Sequence, residues 1–157
     1  QYIELIDRIN KIIPDCAISM DIISGFCTET KKDHEDTLSL MDYVKYDFGY
    51  MFNYSERPNT NAAKKLKDDV PQEIKQKRLS EIINKQMEHS MYNNQKKIGR
   101  QYEVLVESLS KKSKDNLYGR TTHNTPVVFP KQNYSFGDLV NVKITNCTAT
   151  TLIGEAI

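Results

Sequence analysis

The pattern of apolar residues changes near residue 99, and this change restricts the possible folds more than any other feature of the sequence. Before residue 99, segments with helical spacing alternate with strand-like segments, whereas five short strand-like segments follow it. Alternating helices and strands are typical of α/β proteins. Short, closely spaced strands are typical of small antiparallel barrels or sandwiches. The sequence therefore predicts an α/β part followed by an all-β part.

The first part has the order helix, strand, helix, strand. Apolar residues at helical spacing predict a helix over residues 2–13, and residues 16–26 form a mostly apolar run. Such a run is typical of a strand buried on both faces of a parallel sheet. Thr30 followed by Asp33 resembles a capping box and begins the next helix, and residues 48–54 predict a second strand.

A loop and then a long helix follow this α/β part. Residues 55–70 carry turn signals, and Asn59 suits a left-handed backbone there. Pro71 is a typical first residue of a helix, which the apolar spacing extends to about Ile98, with Gly99 as its C-cap. The remaining strands are predicted at residues 102–109, 117–121, 127–129, 139–145 and 151–157.

The charge is divided along the chain, although the total is close to neutral at +1. Residues 1–95 carry 13 basic and 16 acidic side chains, a net charge of −3, and residues 96–157 carry nine and five, a net charge of +4. No apolar run reaches the roughly 18 residues that a membrane span requires, so no membrane partner is predicted. Three widely spaced cysteines argue against a disulfide framework and indicate a reducing cytoplasm.

Few residues indicate catalysis on their own. The chain has no Walker, GxGxxG, HExxH or CxxC motif. We interpret His34, His89 and His123 as surface histidines, and Cys27 as a half-buried thiol. Asp21 is a charge inside an apolar strand, and is therefore either paired or functional.

Basic residues near the predicted strand at 117–121 indicate a second kind of site. Lys111, Lys112, Lys114 and Arg120 cluster around one loop and strand, with Tyr118 between them. Basic side chains for phosphates beside aromatic rings for stacking are typical of barrels that bind single-stranded nucleic acid. The alternative is a solvated charged loop over a strand whose aromatic residues face the core.

Four segments together resemble the radical-SAM methylthiotransferases. Residues 19–30 resemble the family's STDIIVGFPGET segment, with Cys27 and Thr28 in place of Pro-Gly. Residues 54–62 resemble YSxRPGTxA, residues 70–79 resemble VPEEVKxxRL, and residues 119–130 resemble GRTxxNxxVVFP of the TRAM domain. The best match is the branch that modifies the isopentenylated adenosine beside the tRNA anticodon. A branch that modifies a ribosomal protein and a non-enzymatic RNA-binding module remain the alternatives.

The resemblance implies an architecture for each part of the chain. Residues 1–70 would be the last βα units of a radical-SAM partial TIM barrel, and residues 71–98 a linker helix. Residues 99–157 would be a five-stranded antiparallel TRAM β-barrel that binds RNA. The match covers about the C-terminal third of such an enzyme. The N-terminal domain and the cluster-binding CxxxCxxC half of the barrel would be partners from the rest of the same protein.

The resemblance also implies cofactors and site residues. The intact enzyme would use S-adenosylmethionine and two 4Fe-4S clusters to insert a methylthio group, and this part alone would bind neither cluster and be inactive. The residues implied at the S-adenosylmethionine pocket are Asp21, Ile23, Gly25 and Phe26, with Tyr54, Ser55 and Arg57 in second rank. The residues implied to bind the tRNA anticodon region are Lys111, Lys112, Lys114, Arg120 and Asn124.

Overall fold

The computed structural model describes all 157 residues, which divide into two units. The first unit comprises Gln1–Ile12 and Ile18–His89, and the second comprises Ile13–Ala17 and Ser90–Ile157. None of the helices is both long and apolar enough to cross a membrane.

The first unit contains the predicted alternation of helices and strands. Its elements are α1 (Tyr2–Ile12), β1 (Ser19–Ser24), α2 (Lys31–Val44), β2 (Phe48–Asn53), α3 (Asn61–Lys65) and most of α4 (Gln72–Gln95). Strands β1 and β2 pair in parallel, from Ser19 opposite Phe48 to Ser24 opposite Asn53. The parallel pair joined by a helix, which the sequence predicts, is therefore confirmed.

Local chemistry explains why α2 begins where it does. The Thr30 hydroxyl accepts a hydrogen bond from the Asp33 backbone N–H, and the Asp33 carboxylate accepts one from the Thr30 backbone N–H. These reciprocal bonds satisfy two donors that the first turn of a helix leaves without partners. The predicted capping box is confirmed.

Two predictions about the chain before the barrel need correction. The segment 55–70 is not a loop throughout, because Thr60 caps the short helix α3 with its hydroxyl. Asn59, just before that cap, has the predicted left-handed backbone, with φ of 68°. The long helix ends at Gln95 rather than near Ile98, so Gly99, with φ of 84°, lies in the turns beyond it.

The second unit is a closed five-stranded barrel. Its strands are β3 (Gln101–Leu109), β4 (Asn116–Thr121), β5 (Pro126–Pro130), β6 (Leu139–Cys147) and β7 (Leu152–Ala156). They pair in the order β3, β4, β5, β7, β6, and β6 pairs with β3 to close the barrel. The prediction of a wholly antiparallel barrel is wrong at one place, because β5 and β7 pair in parallel through Val127–Leu152 and Val128–Ile153.

The barrel interior is filled by inward-facing aliphatic residues and one phenylalanine. Alternate residues of each strand point inward, so every strand contributes to the same core. The buried members are Val104, Val106, Leu117, Val127, Phe129, Val140, Val142, Ile144 and Leu152. Gly119 and Gly154 allow close packing, since a Cβ on either would lie about 2.5 Å or less from a backbone oxygen of the neighbouring strand.

Candidate functional site

Strand β1 has one covered face and one free face. Met20 and Ile22 point toward the helices and pack against a buried cluster of Met41, Tyr46 and Ile82. The intervening residues point the other way. The predicted burial of this strand on both faces is therefore wrong within this chain, because only the helix-facing side has a covering layer.

The free face brings together two of the predicted cofactor residues. Asp21 is exposed and lies opposite Tyr50, and Ile23 is 56% exposed and lies opposite Phe52, which is 58% exposed. A carboxylate, an aliphatic side chain and two aromatic rings thus share an open surface. Of the two possibilities for Asp21, paired or functional, the structure does not show the pairing, since its side chain is exposed.

Gly25 directly follows β1, and both its backbone conformation and its packing require glycine. Its φ is +74°, and a Cβ placed on it would lie 2.4 Å from Cγ of Lys75. Its backbone N–H donates to Oε2 of Glu29 at 2.9 Å. Only glycine allows both the left-handed backbone and the close approach of the lysine side chain.

Lys75 is only 2% exposed, and its charge is compensated. Its Nζ lies 2.6 Å from Oδ2 of Asp68 and donates to the Tyr54 carbonyl at 3.4 Å. The ammonium also lies 5.1 Å from the centre of the Tyr54 ring, within the range of cation–π attraction. Burial of a lysine requires partners of this kind.

Phe26 and Tyr54 form an aromatic pair at the carboxyl ends of the two strands. Their ring centres are 4.9 Å apart and their planes are inclined by 74°, an edge-to-face arrangement. Phe26 is partly exposed, whereas Tyr54 is buried. The neighbouring Cys27 thiol and the burial of the phenol away from water raise the pKa of Tyr54 to about 12. Its hydroxyl therefore stays protonated at neutral pH.

The turn after β1, residues 25–30, is tied to residues near the start of α4. Arg78 donates to Oε1 of Glu29 at 2.7 Å and to its carbonyl at 3.0 Å, and both side chains are largely buried. The Thr28 backbone N–H donates to Oδ1 of Asp69 at 2.7 Å. The roles of Lys75 and Arg78 were not predicted from the sequence, although both residues fall in the segment that resembles VPEEVKxxRL.

The second-rank residues differ in their surroundings. Tyr54 is part of the buried aromatic pair, whereas Ser55 and Arg57 are exposed. The Arg57 carbonyl accepts a hydrogen bond from the Thr60 hydroxyl at 2.9 Å, which places Arg57 in the turn before α3. These residues follow β2 directly and therefore lie at the same edge of the sheet as the end of β1.

The histidines of the first unit are not surface histidines, which corrects the sequence-based interpretation. His34 and His89 are each 6% exposed. His34 Nε2 lies 2.6 Å from Oε2 of Glu81, and His89 Nε2 lies 3.1 Å from Oδ1 of Asp42. Each pair joins α2 to α4, so both histidines have a packing role.

The predicted RNA-binding residues fall into two groups on the barrel. Lys111 and Lys112 lie in the loop between β3 and β4 and line a cavity on the outer face, and Lys114 is exposed in the same loop. Arg120 and Asn124 lie together at the other end of β4. The basic loop and the arginine therefore lie at opposite ends of β4.

Arg120 has two polar partners within the barrel. Its Nη1 donates to Oδ1 of Asn124 at 3.0 Å, and its Nε lies 3.4 Å from Oε2 of Glu107. Asn124 lies in the turn between β4 and β5, where its backbone is left-handed with φ of 58°. The GRTxxN pattern thus forms one local structure in which the asparagine orients the guanidinium.

The comparisons with known proteins agree with this division. Residues 95–157 match the TRAM domain family. These residues form a TRAM domain. Its core is the closed barrel of β3–β7, and the match begins at the last residue of α4.

The whole chain is homologous to part of a longer protein. It is 56% identical to the tRNA-2-methylthio-N(6)-dimethylallyladenosine synthase of Flavobacterium johnsoniae and 58% identical to that of Christiangramia forsetii, over 157 residues in each case. Both alignments cover 100% of this chain and 33% of the relative. The chain thus spans about a third of the length of these curated relatives. The resemblance to the methylthiotransferases is confirmed.

A solved structure also matches part of the chain. It is the solution structure of a conserved protein of Methanococcus maripaludis, with 27% identity and a TM-score of 0.32. The match covers 38% of this chain and 79% of that one.

The side chains present do not fit an iron–sulfur cluster. Cys16, Cys27 and Cys147 are free thiols, and no three or more His, Cys, Asp or Glu side chains lie close enough together to bind a metal ion. A cluster needs several thiolates that converge on one site. Cys27 and Cys147 even lie in different units, with Cys147 at the end of β6 in the TRAM domain. These side chains therefore do not supply the ligand set of a cluster.

Proposed function

We propose that this chain is the C-terminal third of an enzyme that adds a methylthio group to the isopentenylated adenosine beside the tRNA anticodon. The observation that carries the proposal is the alignment of all 157 residues, at 56–58% identity, with synthases named for that modification. The TRAM domain at residues 95–157 supports it, because a tRNA-modifying enzyme needs a surface that binds RNA.

The free face of the parallel sheet is the proposed S-adenosylmethionine surface. Asp21 and Ile23 lie on this face, and Ile23 is next to the last residue of β1, at the carboxyl end where α/β sheets usually bind their ligands. A carboxylate suits the hydroxyl and ammonium groups of the cofactor, and an aliphatic side chain suits its adenine ring. When bound, S-adenosylmethionine would supply the radical that abstracts hydrogen from the substrate adenine.

The other proposed pocket residues have different tasks. Gly25 lets Lys75 pack against the turn, and the Phe26 ring is supported by Tyr54 while part of it stays accessible. Ser55 and Arg57 are exposed at the same sheet edge and are second-rank contacts. Lys75 and Arg78 are largely buried and position this turn.

Residues 1–70 then belong to a radical-SAM partial TIM barrel, residues 71–98 to a linker helix, and residues 99–157 to the RNA-binding barrel. The thiolates for both 4Fe-4S clusters come from other parts of the intact protein, so this chain alone is inactive. The tRNA contacts are Lys111, Lys112, Lys114, Arg120 and Asn124. The activity belongs in the cytoplasm, where tRNA is modified.

Mass spectrometry of tRNA nucleosides tests the proposal. Disruption of the gene should leave isopentenyladenosine without its methylthio group, and the wild-type gene should restore it. The gene carrying Asp21→Asn should restore less of the methylthio modification than the gene carrying Glu73→Gln. The second substitution also replaces a carboxylate by an amide, but at an exposed helix residue.

Two results would contradict the proposal. An unchanged methylthio content in tRNA after gene disruption would exclude this substrate. Loss of a methylthio group from a ribosomal protein, with tRNA intact, would instead support the sister branch of the family.

A further inference from the structure

The outer face of the TRAM domain carries a cavity that the proposed tRNA contacts only partly explain. It has a volume of about 500 Å³ and lies between the loop that follows β3 and the turn that precedes β7. This volume falls within the roughly 300–1,000 Å³ of typical ligand pockets. We call it the base cleft and define it by Lys111, Lys112, Tyr118, Val128, Thr150 and Ile153.

The floor of the base cleft is apolar and spans three neighbouring strands. Tyr118 of β4 lies opposite Val128 of β5, and Val128 lies opposite Ile153 of β7. These side chains point outward, because the residues that alternate with them are buried in the barrel core. With strands about 4.8 Å apart, the row is roughly 10 Å wide, enough for one planar ring system.

The Tyr118 ring has support on the same face of its strand. The guanidinium carbon of Arg120 lies 5.9 Å from the ring centre, and Asn124 orients that guanidinium. The guanidinium of Arg120, itself a proposed tRNA contact, therefore lies beside the Tyr118 ring.

The rim of the base cleft is polar and basic. Lys111 and Lys112 are exposed on one side, and Thr148, Thr150 and Thr151 contribute hydroxyls or backbone groups on the other. Residues 96–157 carry a net charge of +4. An apolar floor for the face of a ring, a polar rim for its edges and two adjacent ammonium groups match the chemistry of a nucleotide rather than that of an apolar peptide.

We propose that the base cleft binds one unpaired nucleotide of the RNA, with the base against Tyr118, Val128 and Ile153 and the phosphates on its two sides at Lys111 and Lys112. This inference rests on the proposed function and adds to it a preference for unpaired over paired RNA. A base in a duplex is covered on both faces by its neighbours, so only an unstacked base can enter the cleft.

Binding of two RNA probes to the full 157-residue chain tests this inference. One probe is a hairpin with an oligouridylate loop, and the other is a blunt duplex with the same number of phosphates. The Tyr118→Ala variant should weaken hairpin binding about 5- to 150-fold, the range that stacking on one aromatic ring provides. Binding of the duplex should not change, and Tyr118→Phe should retain the wild-type preference.

The lysines are tested by the salt dependence of hairpin binding. The double variant Lys111→Ser/Lys112→Ser should reduce the slope of log affinity against log salt by about 1.4, since each phosphate contact to unpaired RNA contributes roughly 0.7. Both lysines are exposed, so this variant should fold even if Tyr118→Ala does not. Matched controls are Phe136→Ala and Lys131→Ser/Lys143→Ser, which change exposed residues that do not line the cleft.

The possible outcomes are distinct. If both RNAs bind and neither Tyr118→Ala nor the double lysine variant changes hairpin binding more than its control does, the base cleft inference is overturned and RNA binding by the TRAM domain stands. If neither RNA binds to the wild-type chain, the inference and the tRNA-binding part of the proposed function fail together. If Tyr118→Ala only converts a dimer into a monomer in light scattering, the surface serves self-association and the inference is wrong.

Discussion

Gly25 combines two constraints that no other glycine of the chain combines, a positive φ and a close neighbouring side chain. The Gly25→Ala variant should lose about 2 kcal/mol or more of unfolding free energy, because Lys75 must move away from Asp68 and Tyr54. Gly137→Ala is the control, since φ there is +94° but the space around it is empty. Both losses are measured by urea unfolding, which is monitored through the NMR signals of backbone amides in each unit. Equal losses would show that the lysine contact has no effect.

The thiols provide a chemical measure of local structure. Cys27 is 1% exposed, whereas Cys16 and Cys147 are partly exposed. Burial removes water from the Cys147 thiol and raises its pKa, so the reactive thiolate form is disfavoured. We expect a thiol reagent at neutral pH to label Cys147 slowly and Cys27 only after unfolding in urea. Fast labelling of Cys27 in the folded chain would contradict the packing at the end of β1.

Asp42 of α2 has two basic partners on α4, Lys85 and His89. Lys85 donates to Asp42 at 2.7 Å, and His89 lies 3.1 Å from it. The hydrogen bond from Lys85, followed by that from His89, lowers the pKa of Asp42 in the folded state. The resulting stabilisation is complete above the unfolded pKa of about 3.9 and is lost as pH falls through the folded value.

The Asp42→Asn variant should therefore be less stable than wild type at pH 7 and approach it in strongly acidic solution. Because Asp42 is exposed, the expected loss at pH 7 is at most about 1 kcal/mol. Asp36→Asn is the control, since its partner Lys32 lies on the same helix and that exposed pair joins no two elements. Urea unfolding at about pH 7 and pH 3 provides the comparison. A loss that is equally large at both pH values would disprove the electrostatic explanation.

The uneven distribution of charge over the chain, −3 in residues 1–95 and +4 in residues 96–157, determines where RNA is expected to bind. Within the TRAM domain, Glu107 opposes this charge because it lies 3.4 Å from Arg120. The Glu107→Gln variant should strengthen tRNA binding a few-fold at low salt by removing a negative charge near the arginine.

Glu73→Gln makes the same change of net charge in the first unit and should leave affinity unchanged. Titrations of the full chain at several salt concentrations should give a log–log slope of about −2 to −3 for wild type, as four phosphate contacts imply. Equal effects of both substitutions would indicate that only total charge matters.

Much of the fold was predictable from short stretches of sequence. The capping box at Thr30 and Asp33, the left-handed Asn59 and the parallel pair of β1 and β2 all depend on residues close together or on the order of elements. The resemblance of four segments to one family was also readable from the sequence alone. Backbone geometry and hydrogen-bond donors of neighbouring residues largely decide such features, so a local pattern is sufficient.

The tertiary structure alone decided which of these residues are exposed and which are paired. The apolar run in β1 did not reveal that Ile23 lies on a free face, and helical spacing did not reveal that Lys75, His34 and His89 are buried. The parallel pairing of β5 with β7 and the contact of Arg120 with Glu107 were equally hidden. These features depend on residues that are distant in sequence, such as His34 and Glu81. A charge can be buried wherever folding brings an opposite charge to it, and no local pattern encodes that approach.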